Sequence, residues 1–408
     1  MQLRAYSQER DLAHIERIWR EIGWMNPNNK PMVATTMGAG RTWVAEVDGA
    51  AEAQASTAPG TLNYLGNEIP LAAVTAVATS HVGRKKGLAT RVLAEALQEV
   101  RSGGAMLAGL GMFDQGFYNR LGFGTGSYEH SVAFDPATLT IKTRARTPQR
   151  LGADDVPQMH AARLARLRTH GANTLLPVAA TLAEVQDHPE NSGLGYCDNP
   201  DGSLSHFIWF GASNLEHGPY RIRLIAYQTY DQFLELLALL RDISDQVNAV
   251  ELREPAGIQL QDLIQQPLKH IRVQGKGYEA FNHAAAFWQT RILDLPGCLA
   301  HTHLNAETLR FNLRLSDPFA VLAADSTRWH GEGGDYTITL GRECGAERGF
   351  SAGLEQLDAS VNAFSRLWLG VRPASGLAVT DDLSASDALL QALDRTLRLP
   401  VPLVDWTY

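Results

Sequence analysis

The stretch AAVTAVATSHVGRKKGLATRVLAEALQEVR, residues 72–101, decides the fold. It is an apolar strand, a basic loop with glycines, and an amphipathic helix. Leu88, Val92, Leu93, Ala96, Leu97 and Val100 fall on one helical face, and Arg91, Glu95, Gln98 and Glu99 on the other. Gly103 and Gly104 stop the helix. Val74, Thr75, Val77 and Thr79 supply the β-branched run expected of a buried strand. The first turn of a helix has backbone N–H groups without intrahelical partners, and Gly87 lets that backbone approach a ligand. Arg84, Lys85 and Lys86 add cations there, so the stretch reads as a pyrophosphate site. Gly87 is followed by Leu88 rather than by Lys and Ser or Thr, which excludes a phosphate loop of the ATPase kind.

Working outward, Gln2 to Tyr6 reads as a strand and Asp11 opens a helix with Leu12, Ile15, Ile18, Trp19 and Ile22 buried. The segments TWVAEVDG and AEAQAST form a hairpin turning at Asp48 and Gly49. Downstream, AMLAGLGM is a further apolar strand, followed by DQGFYNRLGFGTG, in which Tyr118 sits on a short helix. At 408 residues the chain is long enough for several domains. A net charge of −8 disfavours non-specific nucleic-acid binding and suits a cationic substrate. Three cysteines far apart give neither a disulfide framework nor a zinc pattern. The N-terminus has no signal-peptide run and no stretch reaches eighteen apolar residues, so a cytoplasmic protein without a membrane span is expected. His301 and His303 lack a third ligand by spacing, so no metal is expected; His81 reads as a solvated turn residue.

Arg84, Gly87 and Ala89, followed in order by Phe117, Tyr118, Gly122 and Phe123, resemble the motifs of the GNAT superfamily of acetyl-CoA-dependent N-acetyltransferases. The resemblance implies that Val77 and Thr79 line acetyl-CoA and that Arg84, Lys85, Gly87, Leu88 and Ala89 hold its pyrophosphate. From RARTPQRLGADDVPQMHAARLARL the chain repeats the same outline, but without glycine or a basic cluster before the helix at Tyr230. That is a degenerate second copy. RILDL, TLRFNLRLSD and DYTITLGRE are expected as strands of a last α+β unit, with helices over LEQLDASVNAFSRLWLG and DALLQALDRTLRL.

The order of these parts, with TAVATSHVGRKKG, AGLGMFDQGFYNRLGFG, RILDL, LWLG and the terminal Trp-Thr-Tyr, resembles the Eis (enhanced intracellular survival) family of N-acetyltransferases. The implied fold is α+β: two tandem GNAT-type mixed-sheet domains, 1–142 and 143–286, the second degenerate, then a sterol-carrier-protein-like domain, 287–408, whose end reaches the active site. The resemblance implies Tyr118 as general acid, the α-carboxylate of Tyr408 as base, a hexamer, and an amine acceptor: an aminoglycoside, a polyamine-like compound or a protein lysine. Phe113 and Trp406 are assigned to the acceptor pocket. Gly111, Phe113 and Thr407 depart from the family pattern and count against broad aminoglycoside specificity. With no cysteine in the motif stretches, direct attack in a ternary complex is expected. The competing reading is a non-catalytic acyl-CoA- or lipid-binding protein.

Overall fold

The computed structural model describes residues 1–267, 281–322, 328–406 and 408. Asp48 and Gly49 both take positive φ, 51° and 83°, and turn the chain between β2 (Arg41–Val47) and β3 (Ala50–Tyr64). β1 (Gln2–Ala5) pairs with β2, and α1 (Gln8–Glu21) and α2 (Pro31–Gly38) intervene. β4 (Asn67–Thr79) returns antiparallel to β3, and α3 (Leu88–Ser102) carries the chain over to β5 (Leu107–Gly111), which lies parallel to β4. A parallel neighbour requires such a crossover. α4 (Gln115–Asn119) and β6 (Gly124–Thr125) follow.

By contact, the chain divides into two units: Met1–Ser127 with Thr169–Pro177 and Ala286–Tyr408, and Tyr128–Arg168 with Val178–Ala285. In the first unit, two distant segments enter the opening sheet. The strand Asn173–Leu175 pairs with β3. The strand Trp288–Ile292 lies antiparallel to β5 on one side and to β6 on the other. It contains the start of RILDL, expected within the last α+β unit but found in the N-terminal sheet. All five residues are buried, because both edges and both faces are covered. A separate five-stranded sheet includes Leu309–Ser316, Gly334–Leu340 and Gln356–Ser360. The expected helix over LEQLDASVNAFSRLWLG is split. Leu357 and Ala359 alternate into a strand parallel to Leu309–Ser316, and Ser360 caps a shorter helix, Val361–Trp368. This part shares its core with the lower ends of β3, β4 and β5: Tyr64 stacks on Trp368 and donates to its carbonyl at 2.8 Å.

The second unit is a seven-stranded sheet that includes His206–Ala212, Tyr220–Ala226 and Val250–Arg253, with helices Val156–Ala165 and Tyr230–Asp242. Among the described residues no helix is long and apolar enough to cross a membrane.

Candidate acetyl-transfer site

β4 and β5 pair only from Leu71 opposite Leu107 to Val74 opposite Leu110. β4 runs on to Thr79, so Thr75–Thr79 have no β5 partner, and their backbone groups border a gap between parallel strands. A bulge opens there. Gln54 faces Ala78 and Ser56 faces Thr75, which sets Ala55 against both Ala76 and Val77. Ala76 takes φ +50°, a conformation costly for a residue with a Cβ, and such bulges re-aim the neighbouring backbone.

Beyond Thr79 the loop is tied down at its start. Ser80 N–H donates to the Glu52 carbonyl at 2.9 Å and His81 N–H to Glu21 Oε2 at 2.8 Å. Its second half is left open. Gly87, the N-cap of α3, has φ +72°, and a Cβ built on it meets nothing within 4 Å. No side chain caps α3 and no acid stands in its first turn, so the N–H groups of Leu88, Ala89 and Thr90 precede the first helical bond, Arg91 N–H to Gly87 O. Arg84, Lys85 and Lys86 are exposed, with no ion pair among the described residues. An open glycine turn, orphan N–H groups and uncompensated cations are a donor set that fits a pyrophosphate. The helix Tyr230–Asp242 is the contrast: Thr229 accepts from Gln232 N–H and Asp231 stands in its first turn, so that helix end is already satisfied.

Tyr118 is carried by α4, which Asp114 caps by accepting from Phe117 N–H at 3.1 Å. Its ring is 3% exposed, edge-on to Phe117 and Phe123, and shares a packed cluster with Val77, Leu88 and Leu110. Burial, and secondarily the Asp114 charge, pushes its phenol up to about 12. The group is therefore a neutral donor across the physiological range.

Successive β5 side chains point to opposite faces. Ala108 and Leu110 pack on the α3 side with Tyr118, while Leu107 joins Leu71 on the other. Gly109 and Gly111 lie on that second face, and Tyr408 occupies it. A Cβ on Gly109 would stand 2.5 Å from Tyr408 Oη, and one on Gly111 would stand 3.3 Å from the Tyr408 backbone oxygen. The Tyr408 phenol accepts from Asn173 Nδ2 at 2.9 Å, and burial pushes its pKa up. The structure therefore sets Tyr118 and Tyr408 on opposite faces of the strand that borders the gap.

The other residues singled out in the sequence fall as follows. Phe113, just beyond β5, is 80% exposed, whereas Trp406 is 1% exposed. Thr407 lies outside the described residues. His301 and His303 turn their rings to the carbonyls of Gly297 and Arg342. In the second unit Asp198, His206 and Glu235 converge within 4.8 Å. The Arg146 guanidinium already bonds both carboxylates at 2.7–2.9 Å and supplies the positive charge such a cluster requires. Asn173 and Gly109 were not singled out, and Gly111 was named only as a departure from the family pattern. The Gly-x-Gly inside an apolar strand is the signal that points to a close backbone approach.

Residues 6–126 match the model of the acetyltransferase (GNAT) domain. An uncharacterized N-acetyltransferase of Streptomyces avermitilis is 30% identical over 96 residues, which are 24% of this chain and 22% of that protein. The whole chain has the fold of Eis1 from Mycobacterium abscessus, at TM-score 0.77 and 16% identity over 100% of both chains. It is equally similar to a probable N-acyltransferase of unknown function from Enterococcus faecalis V583, at TM-score 0.78 and 17% identity over 100% of this chain and 99% of that one.

Proposed function

We propose that this chain is an acetyl-CoA-dependent N-acetyltransferase that acts on a primary amine by direct attack in a ternary complex. The observation that carries the reading is the gap between β4 and β5, with an uncapped cationic helix end at one side and the two tyrosines on opposite faces of β5. Arg84 to Ala89 and the first-turn N–H groups of α3 hold the pyrophosphate, and the Val77–Thr79 backbone lines the gap. Acetyl-CoA supplies the acyl group as a thioester.

The chain's own groups then manage the protons. The Tyr408 α-carboxylate, held at Gly111, takes the proton that the amine nitrogen must lose. In water an α-carboxyl of pKa about 3.5 is a poor base, so the role requires surroundings that disfavour its charged form. The Tyr118 hydroxyl, kept neutral by burial, delivers a proton to the leaving sulfur. The anionic base also attracts a cationic acceptor. A polyamine, an aminoglycoside-like amine and protein lysine all satisfy that demand, and the exposed Phe113 offers an apolar contact beyond β5.

The test is thiol release from acetyl-CoA by protein ending at Tyr408, against an aminoglycoside, spermidine and a lysine-rich peptide. Release that depends on one amine class is expected. Addition of ten residues after Tyr408 abolishes it; undiminished turnover by the extended chain removes the carboxylate from the mechanism.

A further inference from the structure

The segment 169–175 interrupts the second unit's sequence to enter the first unit, and it meets the end of the chain at three points. Leu403 N–H donates to the His170 carbonyl at 3.1 Å. Gly171, at φ +85°, lies so close to Pro402 that a Cβ there would stand 2.6 Å from the Pro402 Cβ. Asn173 Nδ2 donates to Tyr408 Oη at 2.9 Å. Ser127 Oγ adds a further bond, to the Pro402 carbonyl. The segment is itself fixed. Asn173–Leu175 pairs with Leu62, Thr61 and Gly60 of β3, and the His170 ring bridges Leu65 N–H and the Leu369 carbonyl.

The geometry leads us to propose that this segment is a clamp for the chain end and that Asn173 is a positioning residue for acetyl transfer. Asn173 holds the Tyr408 ring by its far end and so fixes the α-carboxylate, at the ring's other end, against Gly111. The proposal rests on the reading of that carboxylate as base. Its physical basis is simple. A buried phenol that loses its donor is left with an unsatisfied oxygen, and a terminal residue has one chain connection instead of two to keep it in place. The hydrogen bond at the ring's tip and the glycine seats on β5 hold its far end.

The first arm of the test does not use turnover. Carboxypeptidase A, which removes aromatic C-terminal residues, is applied to the full chain and to Asn173→Ala. Free tyrosine is released about tenfold faster from the variant, the loss expected for one buried hydrogen bond; equal rates overturn the clamp. The second arm is kinetic. Asn173→Ala and Tyr408→Phe each lower kcat about tenfold with the KM for acetyl-CoA unchanged, and the double variant is no slower than either. Multiplying effects, or an effect confined to KM, refute the positioning role. A chain lacking Tyr408 separates the two readings. If it is fully active, the base assignment fails whatever Asn173 does; if it is inactive while Asn173→Ala matches the parent, only the positioning role fails.

Discussion

Gly109→Ala is a small change with a large expected effect. Gly109 lies in β5 without a positive φ, so alanine suits its backbone, and the consequence comes from space alone. The added Cβ stands 2.5 Å from Tyr408 Oη, against about 3.5 Å for an ordinary contact, so the ring must retreat by about 1 Å. Asn173 blocks an easy sideways escape, because its Nδ2 is 2.9 Å from the same oxygen and 3.8 Å from the new methyl. A misplacement of about 1 Å in a reacting group costs on the order of 10²-fold in rate, about 2.7 kcal/mol of transition-state stabilisation. Overpacking adds about 1–3 kcal/mol of instability, so thermal unfolding is measured alongside. The assay is thiol release at saturating acetyl-CoA with the best amine of the panel. The decisive partner is Gly109→Ala/Tyr408→Phe: the phenylalanine lacks the atom that the methyl meets, and turnover returns to the level of Tyr408→Phe alone. Full activity in Gly109→Ala, or no recovery in the double variant, would falsify the placement of the Tyr408 ring as a determinant of rate.

Tyr118→Phe should lower kcat by about 10²–10⁴-fold while acetyl-CoA affinity, read by calorimetry, persists; unchanged turnover excludes the phenol as acid. Tyr118 ionises near 12 in the fold against about 10 unfolded, so its contribution to stability is complete below about 10 and is lost as pH rises through about 12. Alkaline unfolding of Tyr118→Phe accordingly sets in at higher pH than in the parent, which a circular-dichroism titration reads. Gly87→Ala forces a Cβ into φ +72° at a cost of about 1–2 kcal/mol, with open space around it. The KM for acetyl-CoA rises about tenfold with kcat little changed, and an unaltered KM argues against this turn as the pyrophosphate cradle.

The strand, glycine turn and helix proposed to hold the cofactor were legible as elements because they are local. A glycine turn, three cations and a helix start are contiguous, and the hydrophobic period of residues 88–100 fixes which face of α3 packs. Tyr118 was legible through its order in the chain. The bulge at Ala76 was not, since an alanine carries no mark of a left-handed backbone and only the pairing with β3 imposes it. Asn173 was hidden for a different reason: it is one polar residue in GANTLL, and its importance comes from Tyr408, 235 positions away. The same distance problem sent RILDL to the wrong sheet. Alternation identifies a strand, but pairing partners are chosen by the whole fold.

The strand Trp288–Ile292, lodged between β5 and β6, gives biosynthesis an unusual timetable. When the first 126 residues leave the ribosome, the far edge of β5 has no neighbour, and β6 has nothing to pair with. At about 5–20 residues per second the missing strand follows roughly eight to thirty-three seconds later. Throughout that interval the backbone N–H and C=O groups of Leu107 to Gly111 that pair with this strand form an open edge, the kind of surface that recruits foreign strands. Chaperone occupancy of nascent chains should therefore begin after residue 111 emerges and end soon after residue 292 does. A fragment cut at residue 126, although it holds the entire matched domain, would be born with that edge permanently open.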